Sequence, residues 1–131
     1  MSPFSDALLL IVEDQPLHAK LFAEIARANG IRAVTTGKGR EAMNLLATLQ
    51  PVLVLIDIYL PDADGREIIA LMRTDDRTRQ IPVVAISALP DHQTVTTTLR
   101  AGADSFLAKP VSLRALSDEL RRHVPTARPS A

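Results

Sequence analysis

The side chains best suited to chemistry in this sequence each follow directly after a short apolar run. They are three carboxylates, a hydroxyl and an ammonium: Glu13, Asp14, Asp57, Ser87 and Lys109. Grouped carboxylates repel one another unless a positive charge lies among them. Oxygen ligands in a chain without Cys favour a hard cation, Mg²⁺ or Mn²⁺, over Zn²⁺. Such a cation helps a phosphoryl group to approach a carboxylate, so the set predicts phosphoryl transfer.

Asp57 is the candidate nucleophile, because a carboxylate can form an aspartyl phosphate. Lys109 would neutralise one phosphoryl oxygen as a point charge, and Ser87 would donate a hydrogen bond to another. Each residue also has an ordinary interpretation. An Asp or a Ser after a strand often caps a helix, and Lys109 before a proline can be an exposed loop charge. Their joint occurrence at strand ends favours the site.

Five strand-like apolar runs alternate with five amphipathic stretches, which is typical of βα units around a parallel sheet. The predicted strands cover residues 7–12, 31–35, 52–56, 81–86 and 105–108. The helix residues expected to face inward are apolar and helically spaced: Leu17, Leu21, Ile25 and Ala28; Ala42, Leu45, Leu46 and Leu49; Ile68, Ile69 and Met72; Leu113, Leu116 and Leu120. Residues 91–101 predict a weaker, threonine-rich helix. Ligands bind at the carboxyl ends of parallel strands, where the candidate residues stand.

The bulk composition indicates one soluble globular domain. The chain has 131 residues, 47% of them hydrophobic and 23% charged, and its 15 basic and 15 acidic side chains cancel. A net charge of zero argues against general attraction to nucleic acid or to an anionic membrane. No apolar run is long enough to span a bilayer, so we expect a cytoplasmic protein. We expect a domain over residues 1–124 and a disordered tail over residues 125–131, which are rich in Pro, Ser and Ala.

Five motifs, in order along the chain, carry a resemblance to a known family. They are Leu10–Asp14, Asp57–Gly65, Ile81–Ala88, Ala101–Asp104 and Phe106–Pro110. Together they resemble the receiver domains of bacterial two-component response regulators, and the overall pattern resembles the stand-alone, single-domain type. The resemblance implies an α/β fold of the flavodoxin-like, doubly wound (βα)5 kind, with a five-stranded parallel sheet in the order 2-1-3-4-5.

The resemblance also implies how the site works. Glu13, Asp14 and Asp57 would hold Mg²⁺ (or Mn²⁺) together with the backbone carbonyl of Tyr59. Asp57 would be the phosphoacceptor, and Lys109 would take part in the transfer. Tyr59 is bulky at a position that tunes hydrolysis of the aspartyl phosphate in this family. Our hypothesis is that it shields the phosphoryl group and slows its loss.

Two further residues would act as the switch. Ser87 assists the transfer and swings toward the phosphoryl group, and the ring of Phe106 turns inward as it does so. Phe106 lacks the hydroxyl that a Tyr would have there, so its ring makes no polar contact of that kind. The family also implies a cis peptide bond between Lys109 and Pro110.

The implied function is a phosphorylation-controlled switch rather than an enzyme with a separate substrate. It would promote only its own phosphorylation and dephosphorylation. The expected partners are a sensor histidine kinase or a histidine phosphotransfer protein, and a downstream protein. The output would leave through the face made by the fourth helix, fifth strand and fifth helix, which could also form a homodimer. Neither nucleic acid nor membrane is expected as a partner.

Two alternatives stay open at this point: a phosphorylation-independent docking module on a receiver scaffold, and a receiver excised from a hybrid kinase. Other phosphate sites fit poorly. The segment Gly37–Gly39 lacks the spacing of a nucleotide P-loop. A haloacid-dehalogenase-type phosphatase needs a second Asp where Tyr59 stands. The three histidines are scattered and are expected at surface or helix positions: His18, His92 and His123.

Overall fold

The computed structural model describes residues 7–124, in which five strands alternate with five helices. The strands are β1 (Leu8–Val12), β2 (Arg32–Thr36), β3 (Leu53–Asp57), β4 (Val83–Ser87) and β5 (Ser105–Ala108). The helices are α1 (Pro16–Ala28), α2 (Gly39–Leu49), α3 (Gly65–Thr74), α4 (His92–Ala101) and α5 (Leu113–His123). The tail predicted at residues 125–131 lies outside the described residues. Within residues 7–124, no helix is long and apolar enough to cross a membrane.

All five strands are parallel and lie in the order β2-β1-β3-β4-β5, as the resemblance implied. Every residue of β3 and β4 is buried, as expected for central parallel strands covered on both faces by helices. The strand ends lie level with one another: Val12 pairs with Ile56, Asp57 with Ile86, and Ser87 with Ala108. The sheet therefore brings the residues that follow each strand to one edge.

Two apolar clusters cover the two faces of the sheet, because successive residues of a strand point to opposite sides. On one face, Leu9 and Ile11 pack with side chains of α1 and α5, including Phe22 and Leu120. On the other face, Leu10 and Val12 pack with α2 and α3, whose buried residues are Ala42, Leu46, Ile68, Ile69 and Met72. The central strands are therefore apolar at successive positions, because each face of the sheet is covered by its own layer of helices.

The inner face predicted for α1 is wrong. Leu17 and Leu21 are 81% and 46% exposed, whereas the buried residues are Ala19, Phe22, Ala23, Ile25 and Ala26. Each residue of a helix advances by about 100°, so the buried set is centred on the side of α1 opposite Leu17. Small side chains dominate the buried face, which lets the helix approach the sheet closely. Only Ile25 belongs to both the predicted and the observed face.

Two further residues expected in the core are exposed. Leu49 is the last residue of α2 and Leu113 the first of α5, and they are 36% and 58% exposed. Terminal helix positions have fewer neighbours than central ones.

The predicted N-cap of α5 is confirmed, since the Ser112 hydroxyl accepts a hydrogen bond from the amide of Ala115 (3.0 Å). Strands β3 and β4 begin one and two residues later than predicted, and each ends one residue later.

Candidate functional site

Backbone ladders continue beyond the strands and hold the candidate residues in extended geometry. The amide of Glu13 donates to the carbonyl of Thr36 (2.9 Å), next to the end of β1. The amide of Lys109 donates to the carbonyl of Ser87 (2.9 Å), just after β5. The peptide bond between Lys109 and Pro110 is cis, as predicted. These hydrogen bonds fix the backbone of Glu13 and of Lys109 at the same edge of the sheet.

Three carboxylates meet at this edge, as the sequence predicted. Glu13, Asp14 and Asp57 each offer an oxygen, and the three oxygens lie within 4.8 Å of one another. Glu13 and Asp57 are almost completely buried, whereas Asp14 is exposed. Two buried carboxylates this close need compensation by positive charge.

Lys109 supplies part of that compensation. Its Nζ lies 2.6 Å from Glu13 Oε1 and 2.7 Å from Asp57 Oδ2. Burial by itself lowers the pKa of Lys109, but the interactions of its ammonium with the carboxylates of Asp57 and Glu13 outweigh it and hold the pKa above its ordinary value. The lysine is therefore a fixed positive charge of the site and not an exposed loop charge.

The remaining negative charge and the oxygen donors of this cluster fit a divalent cation. Three carboxylates against one ammonium leave two negative charges. Glu13 Oε2 accepts from the amide of Gln15 (3.1 Å) and Asp57 Oδ1 accepts from the amide of Tyr59 (2.9 Å). Glu13 Oε1 is buried and, among the described residues, receives no well-directed hydrogen bond although Lys109 lies beside it. Such an all-oxygen donor set suits Mg²⁺ or Mn²⁺.

The two predicted switch residues lie on the neighbouring strands β4 and β5. Ser87 is fully buried, and its Oγ accepts a hydrogen bond from the amide of Leu89 (3.0 Å) in the loop before α4. Phe106 pairs with Ala85 across β4 and β5, is half-buried, and packs against the core on the α2–α3 side. The hydroxyl thus performs an ordinary loop-capping role in this arrangement, and its switch role remains a prediction.

The loop between β3 and α3 is anchored on α2. Asp62 accepts hydrogen bonds from the amides of Gly39 (2.7 Å) and Arg40 (3.1 Å), which begin that helix. These backbone hydrogen bonds, Gly39 first and Arg40 second, lower the pKa of Asp62. A Cβ at Gly65 would lie 2.7 Å from the carbonyl oxygen of Asp57, so α3 starts directly against the backbone of the candidate acceptor. The loop position is therefore fixed on both sides.

The ring of Tyr59 leans toward α4. Its hydroxyl lies 3.4 Å from Thr94 Oγ1, and the guanidinium carbon of Arg66 lies 5.9 Å from the ring centroid. The side chain is 43% exposed, so its ring is partly open to solvent.

The three histidines all lie on helices, as predicted. His18 is nevertheless close to the site, with Nδ1 3.6 Å from Glu13 Oε1. His123 lies on α5, where its Nε2 is 3.2 Å from Oε2 of Glu119 on the same helix.

Comparison with known proteins decides the family. The pattern of the family described as the response regulator receiver domain matches residues 9–121, most of the chain. The chain belongs to this family of receiver domains. The receiver-domain resemblance predicted from the five motifs is thus confirmed, and with it the role of a signalling switch in two-component systems.

Three relatives illustrate the match. The chain is 31% identical to the polar-differentiation response regulator DivK of Brucella anthropi over 116 residues, 88% of this chain and 94% of that one. It is 26% identical to the receiver domain of a sensor histidine kinase from Pseudomonas aeruginosa, whose crystal structure has a magnesium ion in the active-site cleft. That pair has a TM-score of 0.84 and covers 91% and 98% of the two chains.

The third relative is the phosphorylated cyanobacterial phytochrome response regulator RcpA. It is 26% identical, with a TM-score of 0.82 over 92% of this receiver domain and 96% of RcpA.

Several residues around the site of this receiver domain were not found from the sequence. They are the loop anchor Asp62 and four residues that join the loop to α4: Asp64, Arg66, Thr94 and Thr97. Their partners are 22 to 35 residues away along the chain, apart from the local Asp64–Arg66 pair. The Asp-x-x-Gly spacing of the loop gives a turn signal, but no local pattern indicates which helix each side chain meets.

Proposed function

We propose that this receiver domain is switched by transfer of a phosphoryl group to Asp57 from a phosphohistidine of a sensor kinase or a histidine phosphotransfer protein. The observation that carries the proposal is the environment of Asp57. Its carboxylate is buried, bonded to Lys109 on one oxygen and to the amide of Tyr59 on the other, and grouped with Glu13 and Asp14. A carboxylate held in this way is oriented before any donor arrives.

Glu13, Asp14 and Asp57 are the proposed protein ligands of Mg²⁺ (or Mn²⁺), with the backbone carbonyl of Tyr59 as a further one. When bound, the cation supplies positive charge that neutralises phosphoryl oxygens as the group transfers. The donor set on the chain supports this assignment, because it is all oxygen and carries excess negative charge. The magnesium in the related kinase receiver supports it as well.

The proposed transfer is a direct displacement at phosphorus. A carboxylate oxygen of Asp57 forms the new P–O bond while the P–N bond to the donor imidazole breaks. The electron pair of that bond stays on the imidazole nitrogen, which takes up a proton from solvent. Lys109, already 2.7 Å from Asp57 Oδ2, is placed to neutralise an oxygen of the incoming group. Positioning and charge neutralisation are the main contributions in phosphoryl transfer.

The switch itself is proposed to run through Ser87 and Phe106. The Ser87 hydroxyl would leave the amide of Leu89 and donate to a phosphoryl oxygen, and the ring of Phe106 would follow inward. This changes the face made by α4, β5 and α5. Exposed apolar side chains at Leu89 and Leu99, 58% and 44% exposed, support a protein partner there.

The proposed domain covers residues 1–124, and its output is a protein–protein contact with a downstream target or with a second copy of the chain. The switch catalyses nothing beyond its own phosphorylation and dephosphorylation. Its phosphodonors draw on ATP inside the cell, so the cytoplasm is the proposed place of action. A stand-alone regulator and a receiver that is part of a hybrid kinase both stay compatible with the comparisons, because the relatives include a response regulator and the receiver of a histidine kinase.

Tyr59 offers a direct test, because it is the only Tyr and the chain has no Trp. Its emission therefore reports on the residues beside Asp57. We expect a saturable change in emission when Mg²⁺ and beryllofluoride, a phosphoryl mimic, are added together. The change should be absent in Asp57→Asn and preserved in Asp76→Asn, which alters an exposed carboxylate. A wild-type protein that shows no change would favour the phosphorylation-independent docking module.

A further inference from the structure

The helix α4 is attached to the fold differently from the other helices. Its buried side chains are Thr94 and Thr98, whereas each of the other four helices buries at least one large apolar side chain. Buried hydroxyls need hydrogen-bond partners, and here they find them within the helix and its cap. Thr98 Oγ1 donates to the Thr94 carbonyl (2.6 Å) and Thr94 Oγ1 donates to Asp91 Oδ2 (3.1 Å). Apolar burial therefore contributes little to holding α4 in place.

Two arginines of α3 make polar contacts to α4 instead. Arg66 and Arg73 are seven residues apart, which places them on the same face of the helix. Arg73 donates from Nε and Nη2 to the carbonyl of Gly102 (3.0 and 2.8 Å), at the end of α4. Gly102 has φ +123°, and a Cβ there would lie 2.7 Å from Arg73 Cγ, so this contact requires glycine. The carboxyl end of α4 is thereby fixed on α3.

Arg66 makes the corresponding contact nearer the start of α4. Its Nη1 donates to Thr97 Oγ1 (2.9 Å), while Nε and Nη2 donate to the carboxylate of Asp64 (3.0 and 2.7 Å). Asp64 is the N-cap of α3 and accepts from the amide of Arg66 (2.9 Å). The guanidinium is thus oriented by a fixed carboxylate, and its Nη1 is the nitrogen that donates to α4.

The Asp64–Arg66–Thr97 contacts form a bridge between α3 and α4, and this bridge adjoins the loop that carries the site. Tyr59 donates its amide to Asp57, places its ring under the guanidinium of Arg66, and contacts Thr94 through its hydroxyl. Before the start of α4, Ser87 caps the loop that leads through Leu89 to Asp91, the N-cap of α4. If Ser87 turns to a phosphoryl group, the amide of Leu89 loses its acceptor and the start of α4 is free to shift. Thr97 would then be drawn away from Arg66.

We propose that Arg66 is a positioning residue whose bridge from Asp64 to Thr97 fastens α4 in the unphosphorylated arrangement and opposes its movement. This inference rests on the proposed function, because the movement it opposes follows phosphorylation of Asp57. A contact present in only one of two states shifts the equilibrium between them. Loss of the bridge should therefore favour the phosphorylated arrangement.

The first test needs no phosphorylation. Amide hydrogen exchange in α4 is measured for the wild type, Arg66→Ala and Thr97→Val, the latter leaving the Asp64–Arg66 pair intact. Arg77→Ala is the matched control, because Arg77 pairs with Asp75 through the same i, i+2 contacts and, within residues 7–124, makes no hydrogen bond to α4. We expect faster exchange in His92–Ala101 in both bridge variants and wild-type rates in the control. Unchanged exchange in both bridge variants would overturn the proposal.

The second test measures coupling to the site by calorimetric titration with Mg²⁺ and beryllofluoride. Arg66→Ala and Thr97→Val should each bind about three- to tenfold more tightly than wild type, which corresponds to the net contribution of about one ordinary hydrogen bond. The double variant should gain little beyond either single one, and Arg66→Lys should lie between. Equal affinities in all proteins would overturn the coupling. A wild type that does not bind beryllofluoride would overturn the proposed function and the coupling together, while hydrogen exchange would still decide whether the bridge holds α4.

Discussion

The ammonium of Lys109 lies 2.7 Å from the carboxylate of Asp57, on side chains that are 12% and 7% exposed. The same ammonium is 2.6 Å from Glu13, whose side chain is fully buried. One lysine therefore offsets two carboxylates that have little access to water. This arrangement links the stability of the domain to the charge of its site.

Replacing Lys109 by alanine should destabilise the domain, because it leaves Glu13 and Asp57 buried and without their cation. We expect a loss of about 2–4 kcal/mol in the free energy of unfolding, measured by urea denaturation without divalent ions. Mg²⁺ should recover more stability in this variant than in the wild type, since it replaces part of the missing charge. Lys20→Ala, at an exposed position of α1, is the control and should change stability little. Equal stability of the Lys109 variant and the wild type would contradict the role assigned to the ion pairs.

Glu13→Gln should weaken binding of Mg²⁺ and of Mn²⁺, because a buried anionic ligand becomes neutral while its shape is kept. We expect the dissociation constant to rise about tenfold or more, which is ~1.4 kcal/mol of binding free energy. Isothermal titration calorimetry gives the constant directly. Glu24→Gln changes an exposed carboxylate of α1 and should bind the ions as the wild type does. Identical affinities for both variants would remove Glu13 from the metal site.

Tyr59→Ala should shorten the lifetime of the aspartyl phosphate, because we hypothesise that this bulky side chain, two residues past Asp57, limits access of water to the phosphoryl group. We expect hydrolysis about three- to tenfold faster, which corresponds to up to ~1.4 kcal/mol of activation free energy. Tyr59→Phe keeps the ring and loses only the contact to Thr94, so it separates shielding from the hydrogen bond. Loss of phosphate is followed by mass spectrometry after removal of the donor. A wild-type rate in the alanine variant would reject the shielding hypothesis.

Acidification should loosen α4 through its N-cap, Asp91. A hydrogen bond from the Thr94 amide, followed by one from the Thr94 hydroxyl, lowers the pKa of Asp91 from its ordinary value of 3.8. Since the pKa is depressed in the folded state, the cap contributes its full stability above the unfolded pKa. That contribution is lost as the pH falls through the lower, folded pKa.

Hydrogen exchange in α4, corrected for the intrinsic effect of pH, should therefore accelerate below about pH 4 in the wild type. Asp91→Asn keeps an acceptor for the Thr94 amide and should show a smaller acceleration than the wild type. Protonation of Asp64, whose hydrogen bonds to Arg66 lower its pKa, accounts for the part that remains. Matching pH profiles for the two proteins would show that protonation of Asp91 does not control the helix.

Much of the fold and the site could be predicted because the signals are local. Apolar runs that end in a charged or hydroxyl residue mark the strand ends, and the parallel sheet then brings Glu13, Asp57, Ser87 and Lys109 together. The order of the strands came from the family motifs rather than from the runs themselves. Local patterns sufficed here because strand ends in a parallel sheet share one edge.

The errors and omissions arise where the answer depends on tertiary contacts. Helix α1 has apolar residues on both sides, so spacing alone could not decide whether Leu17 or Phe22 faces the sheet. The bridge from Arg66 to Thr97 joins residues 31 positions apart, and an Asp-x-Arg pair also occurs at Asp75 and Arg77 without such a bridge. The hydrogen bond that Ser87 accepts from the amide of Leu89 likewise depends on the geometry of the loop, which the residue types alone do not indicate.

Intact mass after incubation with Mg²⁺ and acetyl phosphate tests the central claim most directly. We predict one phosphoryl adduct on the wild type, none on Asp57→Asn, and a wild-type adduct on Asp62→Asn, which alters the loop anchor next to the site. Removing Mg²⁺ with a chelator should abolish the adduct. An adduct that persists in Asp57→Asn, or a wild type that accepts no phosphoryl group from acetyl phosphate or from any candidate kinase, would contradict the assignment of Asp57 as the phosphoacceptor.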